Sequence, residues 1–269
     1  PQIASCDWIV EVVVERLDIK QQLFENLNTS LASGDSHYTY KFIDKNCTTM
    51  VMDKVNDVLA GTKINKNKPY ESSYRAVINP YLDALYYEKL GINIIFGHRP
   101  DATAEQLFLP SELMASLAVM QINGQPLVTT THTHFLQDNR QLQTTWWNSS
   151  YTLLFVLLLV VVSNNRYVYL TYLTLAGLLG IFLIAVGLYS SHREVLWNYN
   201  ALLFNPLFLL LVVFFGKGTH AALHKTRMAC LGLLVVYTMY LAFQDYFVLM
   251  LPFIVVHGWM VVRLGKWVK

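Results

Sequence analysis

The second half of the sequence has almost no acidic side chains. Residues 150–269 contain eight Lys and Arg but only two acids, Glu194 and Asp245, whereas residues 1–149 hold the other 16 of the 18 acids. A surface in water needs charge, and a surface in lipid excludes it. This scarcity excludes a single soluble domain and predicts a polar part, residues 1–149, followed by a membrane part, residues 150–269.

Cysteines and ligand-binding motifs are also scarce. The three cysteines, Cys6, Cys47 and Cys230, have neither the number nor the spacing of a disulfide framework or a metal site. No Gly-rich phosphate loop, nucleic-acid signature or internal repeat is present. His132 and His134 alternate as on one strand face, but no third ligand is near them in sequence, which favours a polar strand or linker. We therefore expect no metal, no cofactor and no nucleic-acid partner.

Long apolar runs fill the membrane part, and we predict an all-α transmembrane bundle of about five helices. Only the second run alone reaches the roughly 20 residues that a crossing needs. The others reach that length with flanking aromatic and neutral residues, which membrane interfaces favour. His257, in the last run, is interpreted as a helix–helix hydrogen-bonding residue rather than a proton carrier. The runs are Tyr151–Ser163, Tyr167–Tyr189, Ala201–Phe215, Met228–Phe243 and Tyr246–Val262.

The basic residues of the connecting loops predict the orientation. Most of the positive charge of residues 150–269 lies in the loops Asn164–Arg166 and Gly216–Arg227 and in the C-terminal tail. These segments share one side of the membrane if there are five crossings. That side is the cytoplasm by the positive-inside rule. Residues 1–149 and loop Ser190–Asn200 would then face outward, into the periplasm or cell exterior of a bacterium. If the first run is only an interfacial helix, there are four crossings and this orientation fails.

Several helices are predicted in the polar part. Leucines spaced four apart from residue 23 to residue 31 predict the first, which Asp18 can cap and a turn at Ser33–Ser36 ends. A second opens at Asp44–Cys47 and ends at Gly61. Two further helices are predicted, over residues 74–90 and over residues 105–120, the latter interrupted at Pro110.

Cys47 falls in the first turn of the second predicted helix. Unpaired N–H groups and the positive end of the helix dipole favour a thiolate there, as a catalytic cysteine requires. The spacing alone leaves two alternatives open. Cys47 is then a small unreactive residue at a helix start, or it forms a disulfide with Cys6 outside the cytoplasm.

The cysteine segment resembles a known family. Residues Tyr40–Leu59, YKFIDKNCTTMVMDKVNDVL, look like the Asn-Cys-Thr-Thr helix of the membrane-bound Lnb-type lipoprotein N-acyltransferases of Gram-negative bacteria. The order and spacing of several motifs, from about residue 9 onward, carry the resemblance. The further matching segments are SSYRAVINPY (Ser72–Tyr81), Gly91–Gly97, FLPSEL (Phe108–Leu113) and SSHREVLWNYNALLFNPL (Ser190–Leu207), where the family has a His…Asn-x-Asn…Asn-Pro-Leu loop.

The resemblance implies an α+β fold for the polar part. The family's periplasmic domain looks like a circularly permuted papain-type thiol domain, as in lecithin:retinol acyltransferases, and the part covered here would be mostly helical. In the family, the base histidine lies in a Phe-Gly-His segment on a strand before the cysteine helix. Phe96–His98 spells that tripeptide but follows Cys47. We therefore expect the sequence to lack part of the domain and its base, unless His37 or His98 serves.

The resemblance also implies an activity. Cys47 would take an acyl chain from a phospholipid and pass it to the α-amine of a diacylglyceryl lipoprotein, with no cofactor. Donors for the oxyanion would be the Cys47 N–H and the Asn46 side chain. His192, Asn198 and Asn200 would form a loop on the lipid side. The protein would lie in the bacterial inner membrane, with its N-terminal domain in the periplasm.

Two other functions fit the same residues. A membrane-anchored cysteine hydrolase, such as an amidase or peptidase, would use water as the second acceptor and would need no lipid groove. A non-enzymatic membrane assembly or transport protein would hold Cys47 buried and inert. Thiol labelling distinguishes the last from the two enzymes, and acyl transfer to an amine distinguishes the enzymes from each other.

Overall fold

The chain forms two compact units, and each unit combines two segments that are separated in the sequence. The structure is a computed structural model. It describes residues 10–13, 17–34, 37–59, 63–64, 72–133 and 145–267. One unit, here called the thiol unit, comprises Pro1–Glu71 and Thr103–Gln141, and the other, the membrane unit, comprises Ser72–Ala102 and Leu142–Lys269. The predicted boundary between residues 149 and 150 does not coincide with this division, because residues 72–102 pack with the apolar half through buried polar groups.

Eleven α-helices and four short strands lie in the described residues. The helices are α1 (Leu17–Ala32), α2 (Cys47–Val58), α3 (Tyr74–Ile78), α4 (Tyr86–Ile95), α5 (Pro110–Val119), α6 (Ser150–Val162), α7 (Arg166–Tyr189), α8 (Asn200–Leu203), α9 (Leu207–Gly216), α10 (His220–Leu241) and α11 (Phe247–Leu264). The strands are β1 (Val10–Val13), β2 (Gln121–Ile122), β3 (Gln125–Pro126) and β4 (Thr130–Thr133). β1 pairs antiparallel with β4, and β2 with β3.

The helices predicted in the polar part are present, with corrected bounds. Asp18 lies inside α1 and not at its cap. Pro110 begins α5 instead of interrupting a helix, because the first helical turn tolerates a residue without an N–H, and residues 105–109 are not helical. The stretch 74–90 is broken into α3, a 3-10 turn and α4. α2 ends at Val58, and Gly61 lies outside the described residues.

The thiol unit has a small core of its own. Helices α1 and α2 pack together, and α5 packs on α2. These contacts bury aliphatic side chains from all three helices and from the segments around β2 and β3. The buried residues are Ile19, Val58, Leu59, Ile64, Leu107, Leu113, Ile122 and Leu127. A permuted papain-type arrangement of this unit stays an expectation.

Each predicted apolar run is helical over most of its length, but residues 204–206 interrupt the third run. The predicted loop Gly216–Arg227 is wrong in its bounds, because α10 begins at His220. Among the described residues, three helical segments are long and apolar enough to cross a membrane, Arg166–Tyr189, Arg193–Gly216 and Phe247–Leu264. This agrees with a membrane protein and with a helical bundle. The first run forms only the 13-residue α6, and α10 has 22 residues but is not among the three. Five crossings therefore stay a prediction.

One of these three segments is broken in the middle. Between α8 and α9, Pro206 has no N–H, and the Leu207 N–H donates to Asn205 Oδ1 at 2.9 Å instead of to the Leu203 carbonyl. The buried ring of His257 occupies the vacated place, with Nδ1 3.0 Å from Leu203 O and Nε2 2.9 Å from the Tyr172 hydroxyl. Because a carbonyl only accepts, Nδ1 carries the proton and Nε2 accepts from Tyr172. His257 is thus a helix–helix hydrogen-bonding residue, as predicted.

Candidate functional site

Cys47 is the first residue of α2 and carries a free, exposed thiol. Its neighbours Asn46, Thr48 and Thr49 are buried, and Ile43 is completely buried. The sulfur is therefore the accessible atom of an otherwise packed helix start. The alternative of a buried Cys47 is wrong, and Cys6 lies outside the described residues.

The residues around Cys47 explain why the helix begins there. Asn46 is extended, with φ −113°, and its Oδ1 accepts from the Thr49 N–H at 2.9 Å. In return, Thr49 Oγ1 accepts from the Asn46 N–H at 2.8 Å. This reciprocal capping box satisfies two donors that a helix start leaves unpaired. The N–H of Cys47 belongs to the same first turn, where no intrahelical acceptor exists.

The side-chain amide of Asn46 holds the helix start in place. Its Nδ2 donates to the carbonyls of Phe42, at 2.9 Å, and Phe108, at 2.8 Å. An amide nitrogen has two protons, so both donors are engaged. The predicted oxyanion role of the Asn46 side chain stays a prediction, and it requires one of these bonds to break. The Cys47 N–H needs no such exchange.

An apolar groove of about 260 Å³ runs along α2 on the Cys47 side of the helix. Its α2 wall is Met50, Val51, Lys54 and Val55, at i+3, i+4, i+7 and i+8 from Cys47, and therefore on the same helix face. The opposite wall comes from α1 and from the segment after it. Several lining side chains are unusually open for apolar groups: Leu31 is 64% exposed and Val51 54%. The remaining lining residues are Leu23, Leu27, Ser30, Leu31 and Tyr38.

Two lysines lie beside this groove. The Lys45 ammonium stands 5.4 Å from the centroid of the Tyr38 ring, two residues before Cys47. Within the lining, Lys54 Nζ donates to Ser30 Oγ at 2.8 Å. On the same helix, partial burial raises the pKa of the Asp53 carboxyl, and repulsion from Asp57 adds to this. The groove is thus mostly apolar, with two basic side chains beside it.

The two histidines considered as bases lie in different units. His37 belongs to the thiol unit and is exposed in the irregular stretch 37–40. His98 belongs to the membrane unit, where its ring packs 5.8 Å from that of Tyr199. The identity of the base stays a prediction.

Two asparagines of the predicted lipid-side loop bind the C-terminal end of α4. Asn200 is buried, and its Nδ2 donates to the carbonyls of Asn93 and Ile94, at 2.8 and 2.9 Å. Asn198 Nδ2 donates to the carbonyls of Ile94 and Ile95, each at 2.8 Å. The Asn-x-Asn pair therefore caps the C-terminus of α4, whose last carbonyls have no partner inside the helix. His192 Nδ1 lies 3.9 Å from the Glu194 carboxylate. A lipid role for these three residues stays a prediction.

The membrane unit contains a buried charge network that the sequence did not predict. Arg75 is 1% exposed, and its Nε donates to Asp101 at 2.6 Å. Its other nitrogens donate to the oxygens of Asn93 and to the carbonyl of Gly97, and its guanidinium stacks 4.2 Å from the Tyr246 ring centroid. Arg75 lies in the segment quoted for the family resemblance, but a single Arg at a helix start gives no sign of burial.

Glu112 was also missed. It is 8% exposed, and neither of its carboxylate oxygens has a hydrogen-bond partner in the structure. It lies four residues after Phe108, whose carbonyl binds Asn46. In the sequence it reads as an ordinary acid in the first turn of a helix, where the dipole favours it.

No group of three or more His, Cys, Asp and Glu within the described ranges could hold a metal ion. His132 lies in β4 opposite Glu11, which agrees with the predicted polar strand, and His134 lies outside those ranges.

Comparison with family models, with curated proteins and with solved structures gives no match to this chain. The function is therefore inferred from the site geometry and from the sequence resemblance.

Proposed function

We propose that this chain is a membrane-bound thiol acyltransferase that moves an acyl chain from a phospholipid to the α-amine of a lipoprotein's N-terminal cysteine. One observation carries the proposal. The exposed thiol of Cys47 and the apolar groove share one face of α2. The family resemblance of Tyr40–Leu59 supports the same chemistry.

The reaction has two balanced steps. The Cys47 thiolate attacks the ester carbonyl of the phospholipid, the ester C–O bond breaks, and a lysophospholipid leaves with a proton. The amine of the acceptor then attacks the thioester, the C–S bond breaks, and an amide forms with the thiol restored. A histidine takes the thiol proton and later the amine proton. His37 and His98 are the candidates within the chain.

The groove suits the acyl intermediate. From Cys47 to Val55 the helix rises about 12 Å, so an acyl chain attached to the sulfur can lie along Met50 and Val51. Each methylene group that it buries contributes about 0.8 kcal/mol. Lys45 and Lys54 offer positive charge to the phosphate of the donor lipid. A hydrolase acting on a water-soluble amide has no use for such a groove.

The membrane unit anchors the chain in the bilayer that contains the proposed lipid substrates. With five crossings, the basic loop Asn164–Arg166 and the basic segment Gly216–Arg227, in which α10 begins at His220, lie in the cytoplasm. The thiol unit then faces the periplasm of a bacterium, where diacylated lipoproteins and phospholipids share the outer leaflet of the inner membrane.

The test uses the purified full chain in phospholipid vesicles with a diacylated lipopeptide acceptor. Mass spectrometry should show acceptor that gains one acyl chain as an amide. Cys47→Ala should lower the rate by more than about 10³-fold, as the loss of a nucleophile does. The matched control is Cys230→Ala, which removes the buried free thiol of the membrane unit and should leave the rate unchanged.

Other outcomes would identify the alternatives. Release of free fatty acid without an amide product would point to the hydrolase. A fully active Cys47→Ala variant, or alkylation of Cys47 by iodoacetamide no faster than that of a simple thiol at any pH, would remove Cys47 as the nucleophile. Membrane insertion is expected to be unaffected in both variants.

A further inference from the structure

A second cavity, of about 420 Å³, lies at the C-terminal end of α7 in the membrane unit. One wall is formed by Leu183, Ile184, Gly187 and Leu188. These residues recur at i, i+1, i+4 and i+5, so they form one face of the last two turns. The other wall is the loop Leu196–Tyr199, and nearly all of the lining surface is apolar.

The cavity lies at the depth of a membrane interface. The 24 residues of α7 span about 36 Å, and the hydrocarbon core of a bilayer is about 30 Å thick. The last turns of α7 therefore reach the edge of the core. The aromatic residues there, Tyr189 and Trp197, are 79% and 78% exposed, as is typical of side chains in the interfacial belt.

The loop that closes the cavity is held in an unusual conformation. Trp197 has φ +52°, which a bulky side chain rarely adopts and which is found where surrounding contacts impose it. Those contacts are present on both sides of Trp197. The His98 N–H donates to the Leu196 carbonyl at 3.2 Å, and the Asn198 amide donates to the carbonyls of Ile94 and Ile95.

Any side chain at position 97 would displace the loop, because the Cβ of a residue replacing Gly97 would overlap the Leu196 carbonyl. Gly187 is likewise open to the cavity, and a Cβ there would come within 3.3 Å of the Val195 carbonyl. The cavity therefore depends on a fixed loop and on the absence of a side chain at Gly187, which lines it. Arg193, three residues before Leu196, is exposed and supplies a positive charge next to this loop.

We propose that this cavity binds one acyl chain of a phospholipid, with Trp197 against the chain and Arg193 offering positive charge to the phosphate. An apolar wall in the last turns of a spanning helix meets acyl chains, and an exposed cation just beyond it meets headgroups. The proposal does not depend on the chemistry of Cys47. The cavity belongs to the membrane unit, and the site holds a lipid whether or not that lipid becomes a substrate.

The test measures quenching of tryptophan fluorescence by phosphatidylglycerol with dibrominated acyl chains, titrated into the full chain in detergent micelles. The Trp197→Phe variant identifies the Trp197 signal by difference. That signal should be quenched saturably at low lipid content. Ile184→Phe, which fills the cavity, should weaken the apparent affinity by about tenfold. The matched control is Ile181→Phe on the same helix, because Ile181 is 45% exposed and Ile184 46%, but Ile181 does not line the cavity.

Each outcome decides the proposal. Quenching of Trp197 that rises in proportion to the bulk lipid, or that is equal in Ile184→Phe and Ile181→Phe, would refute a lipid site. If Ile184→Phe does not fold, Leu188→Gln replaces it, since Leu188 is 83% exposed and should still weaken binding. Arg193→Gln should weaken binding of the brominated phospholipid but not of a brominated fatty alcohol, and equal loss for both would exclude the phosphate contact. Cys47→Ala should bind as the unsubstituted protein does, even if the proposed acyl transfer fails.

Discussion

The hydrogen bonds of His257 allow a sharp test of how the broken helix is stabilised. Replacing His257 with Leu leaves the carbonyl of the buried Leu203 and the hydroxyl of the half-buried Tyr172 without these partners. An orphaned buried carbonyl costs about 1–3 kcal/mol. The side-chain pair with Tyr172 is worth less, since hydrogen bonds between membrane helices average about 0.6 kcal/mol. We therefore expect His257→Leu to lower the free energy of unfolding by about 2–3 kcal/mol.

Two further variants separate the two bonds. In His257→Asn, the amide nitrogen takes a position close to Nδ1 and can still donate to the Leu203 carbonyl, while the acceptor for Tyr172 is lost. Tyr172→Phe removes only the second bond. Both should cost about 1 kcal/mol or less. Leu fills the space of a histidine ring better than Asn does, so packing alone predicts the opposite order for the two His257 variants.

The measurement is unfolding of the purified protein in mixed micelles, by titration with a denaturing detergent and circular dichroism. The expected order of destabilisation is His257→Leu above His257→Asn, with Tyr172→Phe close to the latter. If His257→Asn is as destabilising as His257→Leu, or more so, packing and not the carbonyl bond accounts for the role of His257. The double variant His257→Asn with Tyr172→Phe should be no worse than either alone.

Two other predictions follow from the charges and from the helix cap. Reporter fusions after Ala221 and after Asn198 should give signals from opposite sides of the membrane, because the positive-inside rule predicts a cytoplasmic position for the basic segment Gly216–Arg227 and the other side for the Asn-x-Asn loop; signals from the same side contradict the proposed topology. Asn46→Asp keeps the acceptor for Thr49 but turns an oxygen toward the Phe42 and Phe108 carbonyls, so it should lower stability by about 1–3 kcal/mol and slow alkylation of Cys47. A variant that is as stable and as reactive as the unsubstituted protein would contradict the role given to this amide.

Local patterns predicted much of this fold. The four-residue spacing of leucines predicted α1, the segment Asp44–Cys47 predicted the start of α2, and apolar runs predicted the long helices of residues 150–269. These signals succeed because they depend on residues within one or two turns. Pro110 shows their limit, since a proline at a first helical position and one that breaks a helix look alike in sequence.

Pairings between distant residues could not be predicted. Nothing near Arg75 in sequence indicates that its charge is buried against Asp101, and Asn200 gives no sign that it caps α4 from more than 100 residues away. The same holds for the α1 wall of the groove beside Cys47. The sequence located the thiol, but the groove that supports its proposed substrate depends on how two helices pack.

The insertion of residues 72–102 into the membrane unit has a consequence for how the protein is made. Its two ends meet, since the Tyr74 N–H donates to the Ala102 carbonyl at 3.1 Å. The aromatic partners of Arg75 and Asp101, however, are Tyr246 and Tyr240, which the ribosome adds roughly 140 residues later. At about 5–20 residues per second, that delay is about 7–30 s. During synthesis, residues 103–141 of the thiol unit therefore emerge before Arg75 and Asp101 have these two tyrosines, so the charged pair forms before the aromatic rings that contact it are made.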